Sequence, residues 1–353
     1  MKLFFLSKKP KGISLMAKPI FLNDMDAPLS TAVWLAADDY DFTPTPNAIS
    51  ATDLLKSDRQ LVLRKRRMEA EISAGTIVTD PIPLSGRVAA RMGHAIHAGI
   101  EHSWNTGAKQ ALIDLGYPKK IASQVVINPT EDQLAQGCIP VYMEIRNTKE
   151  IEGWTISGQF DFVIEGALED FKSTSVFTYT NQTNSDKYVK QGSIYRWLNP
   201  DIVTDDTFKI NYIFTDWSKN MARSSDKYPN HRIMAQTFNL MSVPETEHFI
   251  KSKLRRVAAC SELPEPDLPD CNDEELWVKD PVFKYYKNPE TAAKGGRSSK
   301  NYDSKLEASA RQSKDGGVVI EVPGQVVACK YCAEFEACTQ KDRLIASGQL
   351  IME

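Results

Sequence analysis

GQFDFVIEGALEDFK, residues 158–172, lies near the middle of a 353-residue chain, and its reading decides the fold. Glu165-Gly166 is a candidate two-residue turn, with glycine available for a positive φ. That turn puts Gln159 opposite Lys172, Asp161 opposite Asp170 and Val163 opposite Leu168 across a β-ribbon. Side chains alternate along a strand, so Asp161, Asp170 and Lys172 share one face, while Phe160, Phe162, Ile164 and Phe171 share the other. Glu169 falls on the apolar side. Two facing carboxylates repel, and two readings remain open: a solvated hairpin face, or a pair of acids gathered around a divalent cation.

Working outward, VYMEIRN (141–147), GWTISGQFDFVI (153–164) and DTFKINYIFTDWS (206–218) read as strands from their alternation and their aromatic and β-branched content. Residues 47–70 read as a helix capped by Ser50 or Thr52, and residues 85–107 as a second helix closed by Asn105 and Gly107. Further helices are expected over 186–200, ended by Asn199-Pro200, and over 243–260. Residues 1–45 look like an extended arm, and 261–328 look mostly irregular. Helices and strands mixed without βαβ regularity indicate α+β, or α/β with a small central sheet. The expected division is an arm (1–45), a core (46–260) and a cysteine-bearing C-terminal segment (261–353) packed on the core.

Composition sets wide bounds. With 42% hydrophobic and 25% charged residues the chain has an ordinary globular make-up, and its net charge of −3 does not advertise a polyanion binder. MKLFFLSKKPKG (1–12) falls short of a signal peptide, and no apolar run approaches the roughly 20 residues of a membrane span. A soluble cytoplasmic protein without membrane contact is expected, with Met16 an alternative start. No Walker A loop, Gly-x-Ser-x-Gly or His-Glu-x-x-His pattern is present.

Four short patterns occur in order over residues 93–195: Gly93-x-x-x-His97, Gly158-x-x-Asp161, Asp170-x-Lys172 and Gln191-x-x-x-Tyr195. Together they resemble the PD-(D/E)XK nuclease superfamily, in its RecB-like branch with AddB-type and phage exonuclease members. The resemblance implies a restriction-endonuclease-like core, a small mixed central sheet flanked by helices. It also implies that Asp161, Asp170, the backbone carbonyl of Phe171 and His97 hold Mg²⁺ or Mn²⁺, while Lys172 orients the attacking water and steadies charge on the phosphate. Gln191 and Tyr195 share a helical face with Tyr188, to support the lysine or touch DNA, or else to form a core stripe. His94 and His102 compete with His97, and Glu101 is a candidate hydrogen-bond partner for it.

Six cysteines in a chain without a secretory signal point to metal ligation rather than disulfides. Cys329-x2-Cys332-x5-Cys338 is a compact three-ligand loop suited to zinc or an iron–sulfur cluster. AddB-type nucleases hold a [4Fe–4S] cluster with a similar trio and one cysteine upstream of the core. Here no cysteine precedes His97, so Cys271 is the expected fourth ligand, Cys260 the second choice, and Cys138 a buried small hydrophobe. The cluster is expected to be [4Fe–4S], with Zn²⁺ the alternative.

Basic clusters at Arg64–Arg67, 251–256 and Lys294–Lys305, with Trp104, Trp197 and Trp217, are candidate contacts to the DNA backbone and bases, or ordinary surface and core residues. The expectation is a metal-dependent DNA exonuclease acting on ends or single strands, in the host cytoplasm if phage-encoded, with a recombinase or annealing protein as a conceivable partner. An endonuclease or CRISPR-adaptation-type nuclease, and a non-catalytic DNA-binding scaffold, are the alternatives.

Overall fold

A computed structural model describes residues 20–37, 47–74 and 81–352. Met16 and most of the expected arm lie outside them. What is described of the arm is not extended throughout: Leu29–Ala36 forms a helix (α1), and Phe21–Leu22 pairs in parallel with Ile82–Pro83. The chain divides into two compact units. One comprises residues up to Leu55 together with Arg67–Lys251, and the other Lys56–Arg66 with Ser252–Glu353.

The first unit is built on a seven-stranded mixed sheet. Its strands are β1 (Ala48–Ser50), β2 (Val125–Ile127), β3 (Ile139–Ile151), β4 (Trp154–Ile164), β5 (Ala167–Thr174), β6 (Thr207–Phe214) and β7 (Ile233–Asn239). The order is β2-β3-β4-β5-β6-β7, with β1 added to β4. Pairs β3–β4, β4–β5 and β6–β7 are antiparallel, whereas β1–β4, β2–β3 and β5–β6 are parallel. The expected α+β class with a mixed central sheet is the observed one.

Both hairpins flanking β4 close on Glu-Gly. Glu152 and Gly153 have φ of 50° and 74°, and Glu165 and Gly166 have 49° and 84°, the doubly positive pattern of a primed two-residue turn. The second hairpin keeps the expected register, with Ile164 opposite Ala167 and Phe162 opposite Glu169. Alternation then buries Ile156, Phe160 and Phe162 from β4 and Val141 and Met143 from β3. Trp104 and Phe171 pack on part of this core.

Helix boundaries differ from the sequence expectation in two places. The helix begun at Val88 runs to Asp114 (α3), straight through Asn105 and Gly107, because packing on β4 and β5 outweighs a weak stop signal. The helix expected from 47 starts only at Asp58 and runs to Ala74 (α2); β1 and a short turn at Asp53–Leu55 precede it. Ser50 accepts from the Asp53 amide and caps that turn instead. Ser185–Leu198 (α4) and Val243–Ser261 (α5) lie close to where the periodicity puts them.

In the second unit, residues 261–328 are not mostly irregular. Val282–Tyr286 (β8) is flanked by Lys300–Tyr302 (β9) and Val318–Val322 (β10) in an antiparallel sheet carrying the helix Lys305–Asp315 (α6). Buried Phe283, Tyr285 and Tyr286 supply its core, an apolar set short enough to be overlooked among lysines and glycines. The helix Thr339–Ala346 (α7) ends the unit.

Candidate active site

The site begins at a fork in the sheet. Strand β4 pairs along one edge with β3, but its other edge is shared, β1 taking Thr155–Ser157 and β5 taking Phe162–Ile164. Residues 158–161 belong to neither of those two ladders. Gly158 sits where α4 closes on this gap: a Cβ there would stand 2.6 Å from Leu198 Cδ1 and 3.0 Å from Tyr195 Cδ1. The glycine is a packing requirement that lets Tyr195 approach the strand.

The fork also changes the expected facing of the acids. The β4–β5 ladder stops at Phe162–Glu169, so Asp161 and Asp170 are not a ladder pair. The Asp161 carboxylate replaces the next ladder bond by accepting the Phe171 N–H at 2.9 Å. Asp170, 1% exposed, instead meets Lys172 two residues along its own strand, Nζ to Oδ2 at 2.6 Å. Glu169 is held away from the site by Lys209 (2.6 Å) and Asn211 (2.7 Å).

His97 comes from α3. Its Nε2 donates to the Phe171 carbonyl at 2.9 Å, and its Nδ1 lies 3.6 Å from Asp161 Oδ2. His97 and the Phe171 carbonyl, expected to share a cation, are here bonded to each other. Glu101 lines the neighbouring cleft.

The residue that sequence reasoning missed is Glu144 on β3. It stands opposite Asp161, between the pairs Met143–Phe162 and Ile145–Phe160, and has a φ of 54°, a left-handed conformation costly for a side chain with a Cβ. Gln159 donates to Glu144 Oε2 at 2.8 Å and accepts from Arg146 at 2.7 Å, so the middle of the Gly-x-x-Asp stretch is itself occupied in orienting Glu144. His97, Glu144 and Asp161 offer ligand atoms that all lie within 4.8 Å of one another, and this is the candidate metal group among the described residues. Asp170 is not in it.

The electrostatics fit a place for a cation. Burial, and then the neighbouring Asp170 carboxylate, hold the Asp161 carboxyl well above its ordinary range. Burial raises Glu144 as well. For Lys172 burial acts downward, but Asp170 and Asp161 outweigh it and keep the ammonium charged. Burial also raises the phenol of Tyr195, whose oxygen accepts from Gln191 Nε2 at 2.8 Å. Gln191 and Tyr195 are both buried, and the Tyr188 ring lies 5.9 Å from Lys172 Nζ.

His97, Glu144, Asp161 and Tyr195 open onto a cleft of about 610 Å³ that Trp34, Arg91, His94 and Arg146 also line. The tryptophans considered for base stacking are elsewhere. Trp104 packs on Phe162, Trp197 is 1% exposed, and Trp217 donates to the Pro229 carbonyl. Several cations of the first two basic clusters have partners within the chain: Lys251 pairs with Glu247 (2.6 Å), Lys253 and Arg256 share Asp58 (2.6 and 2.8 Å), and Arg66 binds the Ser261 and Leu263 carbonyls.

The second unit brings the four expected cysteines together. Cys271, Cys329, Cys332 and Cys338 line one small cavity, all as free thiols. Burial pushes Cys271 and Cys329 up to about 11. Cys260, the second choice for the fourth ligand, is buried and not part of the cavity lining. Cys138 is half-buried rather than buried.

No protein-family model matches the chain, and no curated protein does. Among solved structures it is similar to SSO0001, at 16% identity and a TM-score of 0.36 over 61% of this chain and 78% of that one. It is similar to the alkaline exonuclease LHK-Exo of Laribacter hongkongensis, at 11% identity and a TM-score of 0.31 over 61% and 90%. A phage-related exonuclease of Haemophilus somnus 129PT aligns at 13% and 0.23 over 36% and 63%. No described helix is long and apolar enough to cross a membrane.

Proposed function

We propose that this chain is a Mg²⁺- or Mn²⁺-dependent deoxyribonuclease that hydrolyses phosphodiester bonds from DNA ends, in end processing for recombination. The observation that carries the reading is the convergence of His97, Glu144 and Asp161 within 4.8 Å, beside the Asp170–Lys172 pair and at the floor of a cleft. The donor set fits the ion: two carboxylates suit a hard dication, and one imidazole tilts the preference toward Mn²⁺. When bound, such an ion lowers the pKa of a water and polarises phosphate oxygens.

The chain's own residues do the rest. Lys172, held charged by Asp170, places its ammonium where negative charge develops on the phosphate, rather than acting as a base. The Asp161 carboxylate, fixed by the Phe171 amide, and His97, fixed by the Phe171 carbonyl, share one residue of β5 as their template. Gln191 holds the Tyr195 phenol against this group through a 2.8 Å hydrogen bond. Arg91 and Arg146 bring positive charge to the cleft wall, suited to a phosphate backbone.

The test is end-labelled linear DNA against closed circular DNA, with Mg²⁺ or Mn²⁺, comparing the unaltered chain with Lys172→Ala. Ordered shortening of the linear substrate alone supports the exonuclease reading. Cutting of the circle makes the enzyme an endonuclease, and equal digestion by both proteins removes Lys172 from the mechanism.

We infer a second centre at Cys271, Cys329, Cys332 and Cys338, and read it as a [4Fe–4S] cluster. Tetrahedral zinc, with Zn–S bonds of about 2.3 Å, sets its sulfurs about 3.8 Å apart. Four cysteines lining one small cavity supply the four thiolates that either ion centre takes, and the cluster is the reading carried from the C-terminal cysteine trio. Iron analysis of anaerobically purified protein, with absorbance near roughly 400 nm, supports this; zinc without colour contradicts it.

A further inference from the structure

The second unit includes an outlying stretch, residues 56–66, which holds the start of α2. Ser57-Asp58-Arg59-Gln60 forms a capping box there. Ser57 Oγ accepts the Gln60 amide at 3.1 Å, and Gln60 Oε1 accepts the Ser57 amide at 3.3 Å. Because the carboxamide oxygen is committed to that turn, its NH₂ end must point the other way. It points at Cys332, Nε2 to Sγ 3.4 Å. Ser57 Oγ lies 3.1 Å from Cys271 Sγ, and Arg59 Nε donates to Cys338 Sγ at 3.2 Å.

Three side chains within four residues thus reach three of the four sulfurs. Arg59 does more. It is 1% exposed, and its other nitrogens bind the Leu268 carbonyl at 2.9 Å, Asp270 at 3.3 Å, Thr339 Oγ1 at 3.3 Å and the Glu265 carboxylate. It therefore fixes both the approach to Cys271 and the segment just after Cys338. Gln340 completes the frame by accepting the Cys271 amide and donating to the Cys271 carbonyl, each at 2.9 Å.

We infer that Ser57, Arg59 and Gln60 are positioning residues for the cysteine-bound cluster: a helix start placed early in the chain whose Arg59 and Gln60 donate hydrogen bonds to the Cys338 and Cys332 sulfurs, while Ser57 Oγ stands against Cys271. This rests on the cluster reading above. Such donors stabilise sulfur carrying negative charge, so they slow ligand loss and raise the reduction potential of the bound cluster.

The variant that isolates this role is Gln60→Glu. Glutamate serves as well as glutamine in a capping box, so the helix start survives, but the N–H···S donor is replaced by an acceptor. The anaerobically loaded protein is compared with the unaltered chain for iron per chain, rate of iron release to a chelator and thermal melting of the metal-free form. Gln60→Glu is expected to release iron roughly five-fold faster or more, the factor for one lost hydrogen bond of about 1 kcal/mol, with unchanged melting. Arg59→Lys, which keeps the charge and loses the fork, is expected to carry several-fold less iron. A loaded Gln60→Glu protein with an unaltered release rate overturns the inference. A parent chain that takes up no iron overturns the cluster reading itself, and is told apart by that.

Discussion

Glu144 and Asp161 fall between the β3–β4 pairs Met143–Phe162 and Ile145–Phe160, and Glu144 does so with a backbone φ of 54°. Left-handed backbone at a non-glycine residue inside a strand costs on the order of 1–3 kcal/mol, and the surrounding ladder pairs hold it there. The conformation aims a second carboxylate at the cluster of His97 and Asp161. Glu144→Gly would relieve the backbone and remove the acid. That variant is expected to melt no lower than the parent while losing cation binding by at least about ten-fold, as measured by Mn²⁺ titration calorimetry. Unchanged Mn²⁺ affinity would remove Glu144 from the ligand set.

Asp161→Asn addresses the cost of the site. The folded state holds the Asp161 carboxyl above its unfolded value, so the protonated form is favoured on folding. Its contribution to stability is therefore present at low pH and is lost as pH rises through the raised folded value. The metal-free parent should lose melting temperature on going from a pH of about 5 toward neutrality, and Asp161→Asn should lose less. Added Mg²⁺ or Mn²⁺ should raise the parent's melting temperature more at neutral pH than at acid pH, and should leave the variant unmoved. Scanning calorimetry at both pH values checks all three.

Removing Lys172 is expected to act on rate rather than on cation binding. Lys172→Ala should lower DNA hydrolysis by about 10²–10³-fold, the usual size of one lost donor to developing charge. It also strands the Asp170 carboxylate, which is 1% exposed, so the variant should be less stable to chemical denaturation. Retained Mn²⁺ affinity with lost turnover is the signature to look for.

Gly158→Ala tests the packing that brings α4 to the strand. The added methyl would meet Leu198 and Tyr195 at 2.6 and 3.0 Å. A destabilisation of about 1–3 kcal/mol is expected from chemical denaturation, with a loss of turnover as Tyr195 is displaced. Wild-type stability would mean that the helix can yield without cost.

Much of this was legible in the sequence because it is local. The Glu165-Gly166 turn fixes the register of the β4–β5 hairpin, and alternation then sorts its faces. Glu144 was also within reach: Glu152-Gly153 is the same kind of turn, and the register it sets pairs residue 144 with residue 161. What sequence could not show is non-local. The fork that ends the β4–β5 ladder after Phe162 depends on β1 arriving from a distant segment. Likewise Lys253 and Arg256 meet at Asp58, almost two hundred residues away, so two cations of a run that reads as a surface patch are paired with one carboxylate.

The proposed site holds a divalent cation on His97, Glu144 and Asp161. Crystals grown with Mn²⁺ and measured at the manganese absorption edge test it most directly. The expected result is one strong anomalous peak with an imidazole nitrogen of His97 and carboxylate oxygens of Glu144 and Asp161 about 2.0–2.6 Å away. No peak in the cleft, or a peak that touches neither His97 nor Asp161, would contradict it.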